Sequence, residues 1–212
     1  MANELTKEIF ARMLAAALAK IEENFDYLNK LDSATGDGDH GTAILSTMKA
    51  AVAAADVNEG FSKMLSNIGW GIMSATGGST SSLTGAFYLG MSNAFEDEVL
   101  SVEEVAKVFK AGLDNVKAMT TAKVGDKTIM DAMIPAADAM TALAEANPAV
   151  TLSELFAAGA DAAQKGAEST VDLVAKQGRA KNLGERSRGF QDAGATSFAI
   201  LMRAYADAVA AS

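Results

Sequence analysis

The chain has 212 residues, half of them hydrophobic, and its 27 acidic against 18 basic residues give a formal net charge of −9. That balance excludes a general nucleic-acid binder, which needs a basic face, and the absence of cysteine excludes a disulfide framework or a thiolate site. The start MANELTKEIF has neither the basic residues nor the apolar run of a signal peptide, and no apolar stretch reaches membrane-spanning length, so a cytoplasmic location is expected.

Abundant alanine and methionine, with only Pro135 and Pro148 as prolines, favour helix. Apolar residues at helical spacing mark about eight segments. The first covers 4–30, with Ile9, Met13, Leu14, Leu18, Ile21, Phe25 and Leu28 on one side. Further helices are predicted near 42–55, 60–75, 81–95, 101–118, 127–146, 151–177 and 194–210. Ser101 with Glu104, and Thr151 with Glu154, match the capping box and mark two helix starts. Pro135 lies inside the sixth segment and should kink it or displace a local hydrogen bond. The polar stretch 176–192 is too long for a tight turn, and loops of that length are often functional or disordered. No segment alternates as a strand, and no repeat or linker divides the chain. The expectation is one all-α domain over 1–212.

Four stretches could carry chemistry. In Gly36-Asp37-Gly38-Asp39-His40-Gly41, with Asp32 five residues before Asp37, three carboxylates surround a turn that also holds the chain's single histidine. Crowded carboxylates repel unless a cation lies between them, and Mg²⁺ and Ca²⁺ prefer oxygen ligands. A calcium EF-hand fails on spacing: counted from Asp37, the third ligand position is Gly41 and the twelfth is Met48. Helix capping by Asp is the plainer alternative, and both roles can coexist. The second stretch, Thr76 to Ser82 (TGGSTSS), precedes an apolar helical pattern. It suits phosphate at a helix N-terminus, or serves as an ordinary Gly/Ser connection. The third, Gly125-Asp126-Lys127-Thr128, lacks the glycine spacing of a Walker A loop and reads as a helix start capped by Asp126. The fourth runs through Gly178-Arg179-Ala180, Gly184-Glu185-Arg186-Ser187 and Gln191-Asp192-Ala193-Gly194-Ala195-Thr196-Ser197. Its arginine can fork onto a phosphate, and a surface loop is the alternative.

Together these stretches resemble the nucleotide-binding L subunit of dihydroxyacetone kinase. GDGDHG, Gly77-Gly78-Ser79, GDKT, and the GRA, LGERS and QDxGATS elements stand in the family's order along nearly the whole chain. The resemblance implies a barrel of about eight antiparallel helices with nucleotide and magnesium at one end. It implies that Asp32, Asp37 and Asp39 hold two Mg²⁺ ions against the phosphates of ADP or ATP. His40, Gly41, Thr42 and Ala43 match the nucleotide-contacting start of the next helix, and Ser79 and Thr80 the phosphate loop. Thr120 and Ile129 match positions flanking the nucleotide, and Arg179 with Asp192-Ala193-Gly194 the closing loop. The chain departs from the family's usual Gly-Gly-Ala-Ser-Gly-Pro-Leu with Gly-Gly-Ser-Thr-Ser-Ser-Leu, and again near Ala43 and near Met119 to Ala122. These departures touch the nucleotide rim and leave the aspartates intact.

The function implied is a kinase subunit that transfers phosphate to dihydroxyacetone or a related ketose held by a separate K-type subunit. ADP would act as a coenzyme, rephosphorylated by an M-type protein of the phosphotransferase system. A length matching the L subunit alone leans toward that mode. His40, the single histidine, lies in the nucleotide motif and is a poor candidate for capturing a ketone. An ATP-driven ketose kinase subunit, for example for erythrulose, and a non-catalytic nucleotide-binding regulatory module stay open as alternatives, as does a homodimer.

Overall fold

The computed structural model describes residues 3–75 and 78–212. A short strand β1 (Glu4–Thr6) leads into α1 (Lys7–Glu23), followed by α2 (Phe25–Thr35), α3 (His40–Ala54), α4 (Phe61–Ala75) and α5 (Ser79–Ser92). A second short strand β2 (Val99–Ser101) precedes α6 (Val102–Met119), α7 (Met130–Ala146) and α8 (Leu152–Ser169). After 3₁₀ turns at Thr170–Asp172 and Arg179–Ser187 the chain ends in α9 (Ala193–Ala210). The fold is all-α, as the sequence predicts.

Both capping boxes form. Ser101 Oγ accepts the Glu104 N–H at 3.4 Å while Glu104 returns a carboxylate to the Ser101 N–H at 2.8 Å. Thr151 and Glu154 repeat the exchange at 3.3 and 2.8 Å. Three expectations need correction. The segment 4–30 is two helices, because the chain breaks at Asn24, whose side-chain amide donates to the Lys20 carbonyl at 2.9 Å. The apolar spacing runs on through Phe25 and Leu28 and so conceals the break. Two strands exist where none was expected: β1 and β2 pair antiparallel with Leu5 opposite Leu100, both buried. Three residues each are too few for alternation to show in sequence. Their last residues double as the N-caps Thr6 and Ser101, so the ladder ties the starts of α1 and α6 together. The helix expected over 151–177 ends at Ser169.

Helices pack on one another in a circuit: α1 on α3, then each on the next through to α9, which returns to α1, while α2 lies against α3 and α9. Phe10 sits at the centre, its ring meeting Phe61, Tyr88 and Tyr205 at centroid distances of 5.7, 6.3 and 6.2 Å. No helix among the described residues is long and apolar enough to cross a membrane.

Pro135 lies inside α7. Lacking an N–H, it cannot donate to the Asp131 carbonyl four residues back. Gly166 of α8 packs directly onto that carbonyl, and a Cβ at Gly166 would lie 2.0 Å from its oxygen. Gly166→Ala is therefore expected to push α8 off the start of α7 and destabilise the protein by about 2 kcal/mol, the usual scale of overpacking. Urea unfolding should show a lower midpoint with an unchanged slope.

Candidate functional site

The acidic turn is folded around one carboxylate. Asp32, in the last turn of α2, accepts the N–H groups of Gly38 and Asp39 on Oδ2 at 2.8 and 3.0 Å. Gly36 crosses so closely that a Cβ there would lie 2.3 Å from Asp32 Oδ1, and Gly38 takes φ 79°, a conformation that favours glycine. Asp37 and Asp39 are thereby brought beside Asp32, one oxygen of each lying within 4.8 Å of the others. Asp39 is the N-cap residue of α3, yet its side chain makes no capping bond. The first turn of α3 is served instead by Asn29 of α2, which accepts the Thr42 N–H at 3.3 Å. Capping thus accounts for the position of Asp39 but not for its carboxylate. The Arg179 guanidinium pairs with Asp37.

His40 points inward. Its Nε2 lies 2.8 Å from Ser197 Oγ, and Ser197 spends its own proton on the Gly194 carbonyl at 3.0 Å. The imidazole is therefore the donor in the first bond. Burial lowers its pKa while Asp32 pulls the other way. The ring acts as a tie between the starts of α3 and α9.

Four helix starts gather at this end. Ile44 of α3, Thr80 of α5, Ile129 at the N-cap of α7 and Ser197 of α9 line one cavity of about 20 Å³, which reaches down to Tyr88 and Tyr205. The two tyrosine hydroxyls meet at 2.6 Å and close its floor. The first N–H groups of a helix have no intrahelical acceptor and carry a positive partial charge, but this cavity is water-sized and lined mainly by apolar side chains, among them Phe87, Met133, Phe198, Leu201 and Met202. Gly78, with φ 101°, precedes α5, and the Ser81 and Ser82 hydroxyls donate back to its carbonyl at 3.2 and 2.9 Å. The Thr76-Gly77 part of this stretch lies outside the described residues. Ser79 is exposed and Thr80 half-buried in the first turn. Gly194 passes beside Ile129, 3.5 Å separating a Cβ on the glycine from that of the isoleucine. Thr120 is not tied into this cluster by its hydroxyl, which braces its own turn by accepting the Ala122 N–H at 3.1 Å.

The GDKT stretch departs from its expected role. α7 starts at Met130, and the carboxylate that holds the preceding turn belongs to Asp131, which accepts the N–H groups of Gly125 and Thr128 at 2.6 and 2.8 Å. Asp126 instead accepts the Lys123 N–H at 3.1 Å and pairs with Lys176 at 3.4 Å. Lys127 is 2% exposed with φ 61°, and its ammonium donates to the Thr170 carbonyl at 2.5 Å and to the Phe190 carbonyl. The stretch 176–192 is anchored on both sides. Ala175 donates to Ser187 Oγ at 2.9 Å, and Gly189 to the Val171 carbonyl at 2.8 Å. Between these anchors an exposed arc carries Arg179, with Gly178 and Gly184 at φ 61° and 56°. Lys127 and Ser187 stand in the GDKT and LGERS motifs, whereas no motif marks Thr170. GDKT was visible as a motif, but nothing in it announces a buried ammonium.

Asp192 caps α9 by accepting the Ala195 N–H at 2.7 Å. Burial pushes its carboxyl up to about 6, assisted by Asp131 and Asp32 and opposed by the Ala195 N–H and Lys127.

The fold is helical, and three carboxylates converge beside the start of α3. The chain belongs to the DAK2 domain family, whose pattern matches residues 34–207. It is similar to the ADP-binding subunit DhaL of the PEP-dependent dihydroxyacetone kinase of Escherichia coli (strain K12), 35% identical over 183 residues, 84% of this chain and 85% of that one. It is also 35% identical over 214 residues to the L-erythrulose 1-kinase of Mycolicibacterium smegmatis, covering 96% of this chain and 36% of that one. Among solved structures, the dihydroxyacetone kinase of C. freundii in its native form matches with a TM-score of 0.71 and 25% identity, over 93% of this chain and 34% of that one. The same enzyme in complex with AMP-PNP and Mg²⁺ matches at 0.68 and 26%, over 93% and 33%. The chain thus spans about a third of these longer kinases and most of the length of the separate subunit.

The Asp192 carboxyl gives a pH dependence with a definite sign. Between 3.8 and about 6 the folded protein keeps a proton that the unfolded chain has lost, so this group's contribution to stability falls as pH rises through that window. Asp192→Asn keeps a capping side chain but cannot ionise. Its unfolding midpoint in urea is expected to gain on the parent's between about pH 4 and about pH 7.

Proposed function

We propose that this chain, as a single domain over 1–212, is the nucleotide- and Mg²⁺-binding subunit of a ketose kinase. Its phosphate would go to dihydroxyacetone held by a separate K-type subunit, and its ADP would stay bound and be rephosphorylated by a phosphotransferase M-type subunit. The observation that carries this reading is the cluster of Asp32, Asp37 and Asp39, with oxygens within 4.8 Å of one another, at the start of α3, where His40 bonds Ser197 of α9. The donor set is all oxygen, which suits hard Mg²⁺, and the Arg179 guanidinium pairs with Asp37. Family membership and the DhaL relatives support the reading.

Asp32, Asp37 and Asp39 would hold two Mg²⁺ ions, which when bound neutralise phosphate charge, the main requirement of phosphoryl transfer. The N–H groups of Ser79 and Thr80, and of Ala193 and Gly194 behind the Asp192 cap, would take phosphate oxygens. His40, Gly41, Thr42 and Ala43, with Thr120 and Ile129, would flank the nucleotide. Arg179 would leave Asp37 for a phosphate or for the partner. None of these groups acts as a nucleophile; they position and neutralise, leaving the terminal phosphate to meet a hydroxyl presented by the K-type partner. A second reading, an ATP-driven erythrulose kinase subunit, is favoured by the equal 35% identity to the L-erythrulose 1-kinase. ADP retained through purification favours the coenzyme mode over it.

Calorimetry with Mg-ADP tests the site. Asp37→Asn and Asp39→Asn should each weaken binding more than about tenfold, since even residues that only orient metal ligands are worth about 10- to 100-fold, while circular dichroism stays unchanged. Unaltered affinity in both variants rejects the assignment. A second measurement addresses the division of labour. The isolated chain with ATP, Mg²⁺ and dihydroxyacetone should form no ketose phosphate, and a K-type subunit, with ATP or a phosphoenolpyruvate-driven donor chain, should restore it. Product from the isolated chain overturns that division.

A further inference from the structure

We propose that Lys127 is a positioning residue for the nucleotide site: its buried ammonium, bonded to the Thr170 and Phe190 carbonyls, fixes the N-terminus of α9. Burying an ammonium is costly unless its protons are bonded, and Lys127 also adopts φ 61°, which a side-chain-bearing residue seldom takes. A non-glycine residue held in this way, at 2% exposure, is over-determined by its surroundings, a condition that gathers at functional sites.

The bonds that hold it lead straight to α9. Lys127 grips the carbonyl of Thr170. The Thr170 hydroxyl donates to the Ala167 carbonyl at 2.5 Å and accepts the Asp192 N–H at 2.8 Å. Asp192 in turn caps Ala195. The second bond of the ammonium, to Phe190, lies two residues before that cap. One cation therefore fastens the end of α8, the approach to α9 and, through Asp192, its first turn. Asp192, Asp131 and Asp172 attract the ammonium from the elements around it, and Arg188 opposes them. A hydrophobic side chain of the same length could fill the space but could not join two carbonyls twenty residues apart in sequence. The consequence is directional: Lys127 sets where the Ala193 and Gly194 N–H groups point without itself reaching the nucleotide. This step rests on the nucleotide reading above.

The test uses Lys127→Met, which keeps the side-chain length without donors, and Thr170→Val, which keeps the shape without the hydroxyl. In the ligand-free protein, hydrogen exchange at 187–196 should rise in both variants while α1 to α6 stay protected. Mg-ADP affinity should fall about 10- to 100-fold in Lys127→Met, the range for residues that orient a site from behind, and less in Thr170→Val. The double variant should lose no more than Lys127→Met alone, because the two residues act through one chain of bonds. Methylammonium added to Lys127→Ala should restore part of the affinity, and tetramethylammonium, which has no N–H, should not. Unchanged exchange at 187–196, raised exchange with full Mg-ADP affinity, or additive losses overturn the proposal. Should Lys127→Met fail to fold, Thr170→Val decides alone, and unaltered affinity there overturns it. A parent that does not bind Mg-ADP overturns the nucleotide reading and this proposal with it, whereas raised exchange with retained affinity overturns only this one.

Discussion

Three carboxylates with oxygens inside 4.8 Å of one another repel, and the local structure is organised by what offsets that repulsion. Asp32 is neutralised in part by two backbone N–H groups of the turn it organises. Asp39 sits at the start of α3, where the helix dipole favours negative charge. Asp37 takes the Arg179 guanidinium from a distant segment. Each compensation comes from a different source, and only the last is a mobile kind of charge. The backbone contributions are fixed once α2 and α3 are packed, whereas an exposed arginine can exchange one anion for another. That division suits a site in which the permanent charge is held by the fold and the remainder is left to a ligand.

Behind the acidic turn the loops are irregular but extensively hydrogen-bonded. The segments around 125–128, 170–176 and 187–192 carry little helix, yet their backbone groups are consumed by one another and by buried side chains: Asp131 on Gly125 and Thr128, Ser187 on Ala175, Thr170 on Asp192. Buried polar groups that are fully bonded specify a single arrangement, and half-bonded ones would be expensive. Gly166 permits this by letting α8 rest on the Asp131 carbonyl that Pro135 leaves without its helical donor. The same residue whose carboxylate holds the GDKT turn thus has its backbone pinned by the neighbouring helix.

What the sequence disclosed follows from the range of each interaction. The capping boxes at Ser101 and Thr151 are local, depend on a four-residue spacing, and form as read. The aspartate turn is also local, and its carboxylates do converge. The break at Asn24 is hidden because the apolar stripe continues across it, and the β1–β2 ladder because three residues cannot display a period of two. Asp126 was a reasonable cap by composition, but Asp131 holds the turn from inside the helix, a geometry set by where α7 starts rather than by residue type. Lys127 is the extreme case: its partners are the carbonyls of Thr170 and Phe190, and a backbone carbonyl leaves no trace in sequence. Local chemistry was legible, and long-range bonds to the main chain were not.

The glycine and serine stretch before α5 shows how far such departures reach. Relative to the pattern usual in the family it resembles, this chain has serines at 81 and 82, and both hydroxyls turn back onto the Gly78 carbonyl. They brace the helix start instead of extending outward. The usual pattern has proline, which lacks an N–H, at the position of Ser82, so this chain has one more backbone donor there, and it bonds the Gly78 carbonyl at 3.2 Å. At 35% identity both to a dihydroxyacetone kinase subunit and to an L-erythrulose 1-kinase, the chain's likeness to either does not choose between the two ketoses.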